Sequence, residues 1–99
     1  MNRAEFKKAY KSGRRDFSGV DLSNADLSEL NMRECNLDNA NLTAANLTDA
    51  VLKFSRLEGT ILKDACVRRA NLRCCYLIYT DLSVINIYAA ILDDEYYDD

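Results

Sequence analysis

Ala40-Asn41-Leu42-Thr43-Ala44-Ala45-Asn46-Leu47-Thr48-Asp49 repeats one five-residue phrase: a small residue, Asn, Leu, then two variable positions. The phrase extends in both directions. Every fifth residue from Phe17 is large and apolar: Phe17, Leu22, Leu27, Met32, Leu37, Leu42 and so on to Leu92, sixteen in succession and twelve of them Leu. At 48% apolar content, chance would produce such a run in one frame with a probability on the order of 10⁻⁵. The residue two places before the large one is small in twelve of the sixteen units, and the residue just before it is Asp or Asn in ten. A helix turns about 100° per residue, so a period of five smears the apolar positions around it. A continuous strand fails as well, because an odd period alternates faces. The pattern is satisfied if three residues run extended and two turn a corner. The small residue and the Leu then point inward, and the Asp or Asn between them points out. Four corners close a square coil of twenty residues, and sixteen units make four coils.

This A-(D/N)-L-x-x pattern resembles the pentapeptide repeat family over Arg15–Asp94, about four-fifths of the chain. The resemblance implies an all-β solenoid, a right-handed quadrilateral β-helix, and it supplies the handedness that the period alone leaves open. The expected organisation is a capping helix and linker over 1–14, sixteen repeats over 15–94, and an acidic tail over 95–99. Stacking at roughly 4.8 Å per coil puts like residues in columns along the axis. Leu22, Leu42, Leu62 and Leu82 share one face; Ala25, Ala45, Ala65 and Ile85 share the next. Such a filled square leaves no interior room for a substrate or cofactor. At the N-terminal end, Asn2 with Glu5 reads as a capping box, Gly13 suits the position just past a helix, and Phe6, Ala9 and Tyr10 fall on one face. A helix over Asn2–Lys11 is expected to lie on the first coil, and no comparable cap follows Leu92.

Charge is distributed unevenly. Residues 1–15 carry six bases and one acid, +5; residues 16–92 carry seven bases and ten acids, −3; residues 93–99 carry five acids, −5. No apolar run approaches the 18 or so residues of a membrane span. Met1–Tyr10 is charged, with no apolar stretch behind it, unlike a secretory leader. The expected location is the cytoplasm. The chain has no His, which removes the usual base, nucleophile activator and metal ligand. Asp16, Asp21, Asp26 and Asp81 follow the repeat and are explained without chemistry. Neither a catalytic site, a metal site nor a cofactor is expected.

The outward positions of the first coil are mostly polar, whereas those of the fourth include Tyr76, Ile78, Tyr79, Val84, Tyr88 and Ile91. Beside an open coil edge, these six form a candidate interface. A tail-to-tail homodimer would cover both patch and edge; pairing through C-terminal coils is also what the resemblance implies. Head-to-tail stacking, basic end on acidic end, and stacking on a different repeat protein are the competing arrangements. A second feature is the column Arg33, Lys53, Arg73, spaced by twenty and so aligned on one face. A basic ladder suits phosphates or an acidic partner. With Asp and Glu flanking it and a negative net charge, a solvated face is the expectation, and nucleic acid is not an expected partner. Cys35 and Cys75 share an inward column two coils, roughly 9–10 Å, apart, beyond the roughly 7 Å that a disulfide tolerates. Cys66 and Cys74 face outward on different sides, so four reduced thiols are expected.

These features favour a non-enzymatic interaction or scaffold module associating through its C-terminal coil. The resemblance also implies an alternative, because some family members mimic duplex DNA and bind DNA gyrase. That role calls for a long, acidic rod.

Overall fold

The computed structural model describes residues 1–84 and 89–92. The first element, α1 (Arg3–Lys11), starts at Asn2 with a complete capping box. Asn2 Oδ1 accepts the Glu5 N–H at 2.9 Å, and Glu5 Oε1 accepts the Asn2 N–H at 3.0 Å. Reciprocal pairing of this kind satisfies donors that a helix start otherwise leaves bare. One side of α1 buries Phe6, whose ring lies 4.5 Å from that of Phe17 and 5.9 Å from that of Tyr10. The helix therefore lies over the end of the first coil as a lid on its interior.

From Asp16 onward the chain winds as a right-handed quadrilateral β-helix. Pairing runs through single-residue parallel bridges twenty residues apart, such as Asp16↔Asn36, Asp21↔Asn41, Asp26↔Asn46 and Asn31↔Val51. Bridges stay this short because every fifth residue begins a new side of the square. Within each side, alternate backbone groups bond to the coils above and below. Leu42 N–H donates to Ile61 C=O at 2.8 Å, and Asn41 N–H donates to Val20 C=O at 2.9 Å. Each corner closes locally, as where Ala45 N–H meets Leu42 C=O at 3.0 Å. The inward columns are as the period predicts: Phe17, Leu22, Leu27, Met32, Leu37, Leu42, Leu47, Leu52 and Leu57 are almost wholly buried, with Ala40, Ala45, Ala50 and Ala70 between them.

The corner has its own chemistry. In all thirteen units from Phe17 to Leu77, the second residue after the large one is left-handed, with φ between 56° and 69°. Gly19, Asn24, Asn39 and Gly59 suit that region, whereas Phe54, Arg69 and Tyr79 occupy it against their preference. The Asp or Asn before the large residue ties the corner down. Asp21 Oδ1 accepts the Ser23 N–H at 2.9 Å and its hydroxyl at 2.6 Å, and Asn41 Oδ1 does the same for Thr43 at 3.0 and 2.5 Å. This is an Asx turn, repeated in each described unit that has Asp or Asn at this position.

The repeat falters on the fourth coil. Where a unit centred on Leu82 should turn its corner, Leu82–Val84 forms a short 3₁₀ helix. The left-handed position of this unit falls on Val84, and a β-branched residue is a severe misfit there. Regular pairing is present again at Asn71↔Ile91, with Leu72 N–H donating to Ile91 C=O at 2.8 Å. Ile85, expected to continue the column of Ala25, Ala45 and Ala65, lies outside the described residues.

The Asx turns predict an acid response. The carboxyls of Asp16, Asp21, Asp26 and Asp81 are held below the ordinary 3.8, first by the Ser hydroxyl two residues on and then by its backbone N–H. Carboxyls depressed by folding contribute stability that is fully present above their unfolded pKa and is lost as pH falls through the folded one. The urea midpoint is therefore expected to drop as pH falls below about 4. Asn performs the same acceptor role at 31, 36, 41, 46 and 71 without titrating. A triple Asp16→Asn, Asp21→Asn, Asp26→Asn variant should match wild type near pH 7 and lose less on acidification. An unchanged acid slope would refute this account.

Candidate functional site

Tyr76, Ile78 and Tyr79 sit on the side of the square built from 15–19, 35–39, 55–59 and 75–79. Nothing described lies beyond them along the axis. Tyr79 is the left-handed corner residue of its unit, which holds its side chain away from the body: 84% of it is exposed. Ile78 is 47% exposed and Tyr76 39%. The Tyr76 ring lies 4.7 Å from the Arg56 guanidinium, which is itself held by Asp38 at 2.9 Å and Glu58 at 3.4 Å. Ile91, 37% exposed, lies on the adjoining side over Asn71. Tyr88 and the side chain of Val84 lie outside the described residues.

Two exposed apolar groups escaped the sequence reading, Ile61 at 50% and Phe54 at 54%. Ile61 occupies an Asp/Asn position and Phe54 a corner, so the period marks both as outward-facing. Phe54 lies on the second coil and Ile61 on the third, ahead of the apolar cluster of the fourth, among outward neighbours that are mostly charged or polar. Ile61 and Tyr79 line one groove of about 350 Å³ with Gly59, Thr60, Leu62, Lys63 and Asp81. The groove opens because the fourth coil leaves the third at Asp81. The same side pairs as Asp21↔Asn41 and Asn41↔Ile61 in the earlier coils, but no Ile61–Asp81 bridge follows among the described residues. Leu62 and Asp64 N–H form no cross-coil bond among them either. The arrangement joins exposed aromatic and aliphatic groups to a bare backbone edge.

The basic column stands aligned as its spacing predicts. Glu34 N–H donates to Lys53 C=O and Phe54 N–H to Arg73 C=O, which places Arg33, Lys53 and Arg73 on successive rungs. The Lys53 ammonium lies 5.2 Å from the Phe54 ring centre. Among the described residues no carboxylate lies within ion-pairing distance of these three. Elsewhere Arg69 makes a two-pronged bond to Asp49 one coil away, at 2.8 and 2.9 Å.

Among the described residues, no three His, Cys, Asp or Glu side chains converge on a point where an ion would fit, and no disulfide joins the cysteines. Burial pushes the Cys35 thiol up to about 12. Cys66 differs, because it occupies an Asp/Asn position. The Thr48 hydroxyl 3.3 Å from its sulfur, the Arg68 N–H and the two neighbouring arginines draw its thiol pKa down. No described helix is long and apolar enough to cross a membrane.

Compared by sequence with curated proteins, the chain has no match. Among solved structures it is similar to a pentapeptide repeat protein of the Arabidopsis thaliana thylakoid lumen, with 26% identity and a TM-score of 0.65 over 70% of this chain and 48% of that one. HetL of Nostoc sp., a pentapeptide repeat protein involved in heterocyst differentiation regulation, aligns at 32% identity and TM-score 0.45 over 80% of this chain and 39% of its own. QnrB1, a plasmid-mediated fluoroquinolone resistance protein, aligns at 20% and 0.49 over 80% and 39%. The chain thus spans about half or less of each of these structures. The family profile for pentapeptide repeats in eight copies matches residues 16–53 and again 35–73, the stretch in which the corners, bridges and Leu columns run unbroken. By that match and by this coil, the chain belongs to the pentapeptide repeat family.

Proposed function

We propose that this chain is a non-enzymatic protein-interaction module, a rigid rod that associates through its fourth coil and most simply pairs with a second copy. The observation that carries the reading is the coincidence of Tyr76, Ile78, Tyr79 and Ile61 with a backbone edge at Leu62 and Asp64 that has no cross-coil bond among the described residues. Exposed aromatics beside open strand edges are what a partner covers. A two-fold contact would shield both copies at once. Stacking on another repeat protein uses the same surface and is the other outcome of the test. Catalysis is disfavoured because the repeat's carboxylates are committed to corner turns and the interior is filled. The reading as a DNA-like rod that binds gyrase is the weaker one, since the basic column of Arg33, Lys53 and Arg73 crosses one side; gyrase supercoiling is expected to be unaffected by the protein.

Light scattering on the wild type and on an Ile78→Lys, Tyr79→Lys variant tests the pairing. Twice the chain mass for the wild type and the chain mass for the variant are expected. A wild type at the chain mass at high micromolar concentration, or a dimer indifferent to both lysines, overturns it.

A further inference from the structure

At the opposite end of the rod, α1 does not seal the first coil completely. Between the helix and the side carrying Leu30 and Asn31 runs a groove of about 410 Å³, lined by Phe6, Tyr10, Leu30, Asn31 and three lysines, Lys7, Lys8 and Lys11. Its floor is apolar. Phe6 and Leu30 are buried beneath it, and the Tyr10 ring is fixed by its hydroxyl, which donates to Arg33 C=O at 3.1 Å, and by the Arg15 guanidinium 3.5 Å from its centre. The rim is cationic. All three lysines are exposed, and among the described residues no carboxylate lines the groove and none of the three makes an ion pair. An apolar floor beside three lysines of α1 selects a ligand with the opposite layout, an aromatic side chain flanked by carboxylates.

The chain contains such a segment. Asp93-Asp94-Glu95-Tyr96-Tyr97-Asp98-Asp99 places two tyrosines between acids, and its −5 mirrors the +5 of residues 1–15. We propose that the groove beneath α1 is a docking site for residues 93–99 of a second copy, a tyrosine entering against Phe6, Tyr10 and Leu30 while the flanking acids meet Lys7, Lys8 and Lys11. Geometry favours a second copy over the same chain. From Leu92 on the fourth coil, Tyr96 or Tyr97 would have to climb three steps of about 4.8 Å and then the gap beneath the helix. Four or five residues span at most about 14–18 Å, so either tyrosine of the same chain would arrive only on a fully extended backbone. Docking in trans has no such limit, and because it is heterologous it builds chains of rods rather than closed pairs. The contact is independent of pairing through the fourth coil, which lies at the other end.

Two measurements test the proposal. In the first, a fluorescent synthetic peptide of residues 93–99 is titrated into full-length protein carrying Tyr96→Ser and Tyr97→Ser, so that the receptor's own tail does not compete. Saturable binding is expected at low salt, weakening as salt screens the charges. It should be at least tenfold weaker with Lys7→Glu, Lys11→Glu added to the receptor, and lost when both tyrosines of the peptide are Ser. No binding overturns the proposal. So does binding indifferent to the lysine changes, which would place the acids on Arg33, Lys53 and Arg73 instead. The second measurement is solution mass against concentration, on an Ile78→Lys, Tyr79→Lys background that removes pairing at the other end. Mass should climb with concentration and stop climbing when Lys7→Glu and Lys11→Glu are added. Peptide binding with no climb in mass would mean that the tail fills its own groove, which overturns docking between copies.

Discussion

Phe17→Ala is expected to destabilise the protein by about 3–5 kcal/mol, the usual cost of emptying a large aromatic site in a core. Phe17 is wholly buried, its ring meets Phe6 at 4.5 Å, and the Arg14 guanidinium covers it at 4.7 Å. It is therefore both the first rung of the Leu columns and the seat of the helical lid. In a solenoid each coil contacts only its neighbours, so damage at one end need not spread. Loss of Phe17 should release α1 and the first coil while leaving the coils around Leu42 and Leu52 protected. Hydrogen exchange read residue by residue checks this, with urea unfolding for the total. Uniform loss of protection along the rod would show that the body folds as one cooperative unit and that the lid is not a separate layer. A Phe6→Ala, Phe17→Ala double variant should cost less than the sum of the single changes, because the two rings lose the same contact.

Ser55→Ala is the second, at about 1–3 kcal/mol, the cost of a buried donor left without a partner. Ser55 stands in an otherwise apolar column between Cys35 and Cys75, with 1% of its surface exposed. At most corners the N–H of the small residue bonds directly to the carbonyl three residues back, as Ala40 does to Leu37 at 3.0 Å. At the corner above Ser55 the hydroxyl is inserted between the two groups. It accepts the Cys35 N–H at 3.1 Å and donates to Met32 C=O at 2.8 Å. Alanine removes both bonds and strips the Cys35 N–H and the Met32 C=O of the hydroxyl that joins them. One coil on, the Cys75 thiol donates to Leu52 C=O at 2.9 Å, so a thiol fits this setting. Ser55→Cys should therefore cost less than Ser55→Ala, although a thiol is the weaker donor and acceptor. Urea midpoints for the two variants decide it, and an alanine variant as stable as the cysteine one would sink the account.

Much of this was legible in the residues themselves. A five-residue period admits neither a helix nor a strand, so it dictates a turn in every unit and a large inward residue beside a small one. Asn2 and Glu5 announced their capping box, and the spacing of Arg33, Lys53 and Arg73 dictated their alignment. The left-handed corner was also written there, in Gly19, Asn24, Asn39, Asp49, Gly59 and Asp64, residue types that tolerate positive φ. Val84, β-branched at the same position, is the residue type least able to turn that corner. Local preference and periodicity are properties of the chain, and they determined the square coil, its columns and its cap. Tertiary structure alone decided where the fourth coil leaves the third, which backbone groups that departure bares, how Ile61 comes to line one groove with Tyr79, and that α1 leaves a groove lined by its three lysines. Those features arise where the repeat meets its ends. There a residue's partner is no longer its copy twenty positions away, and three-dimensional packing replaces the period as the rule.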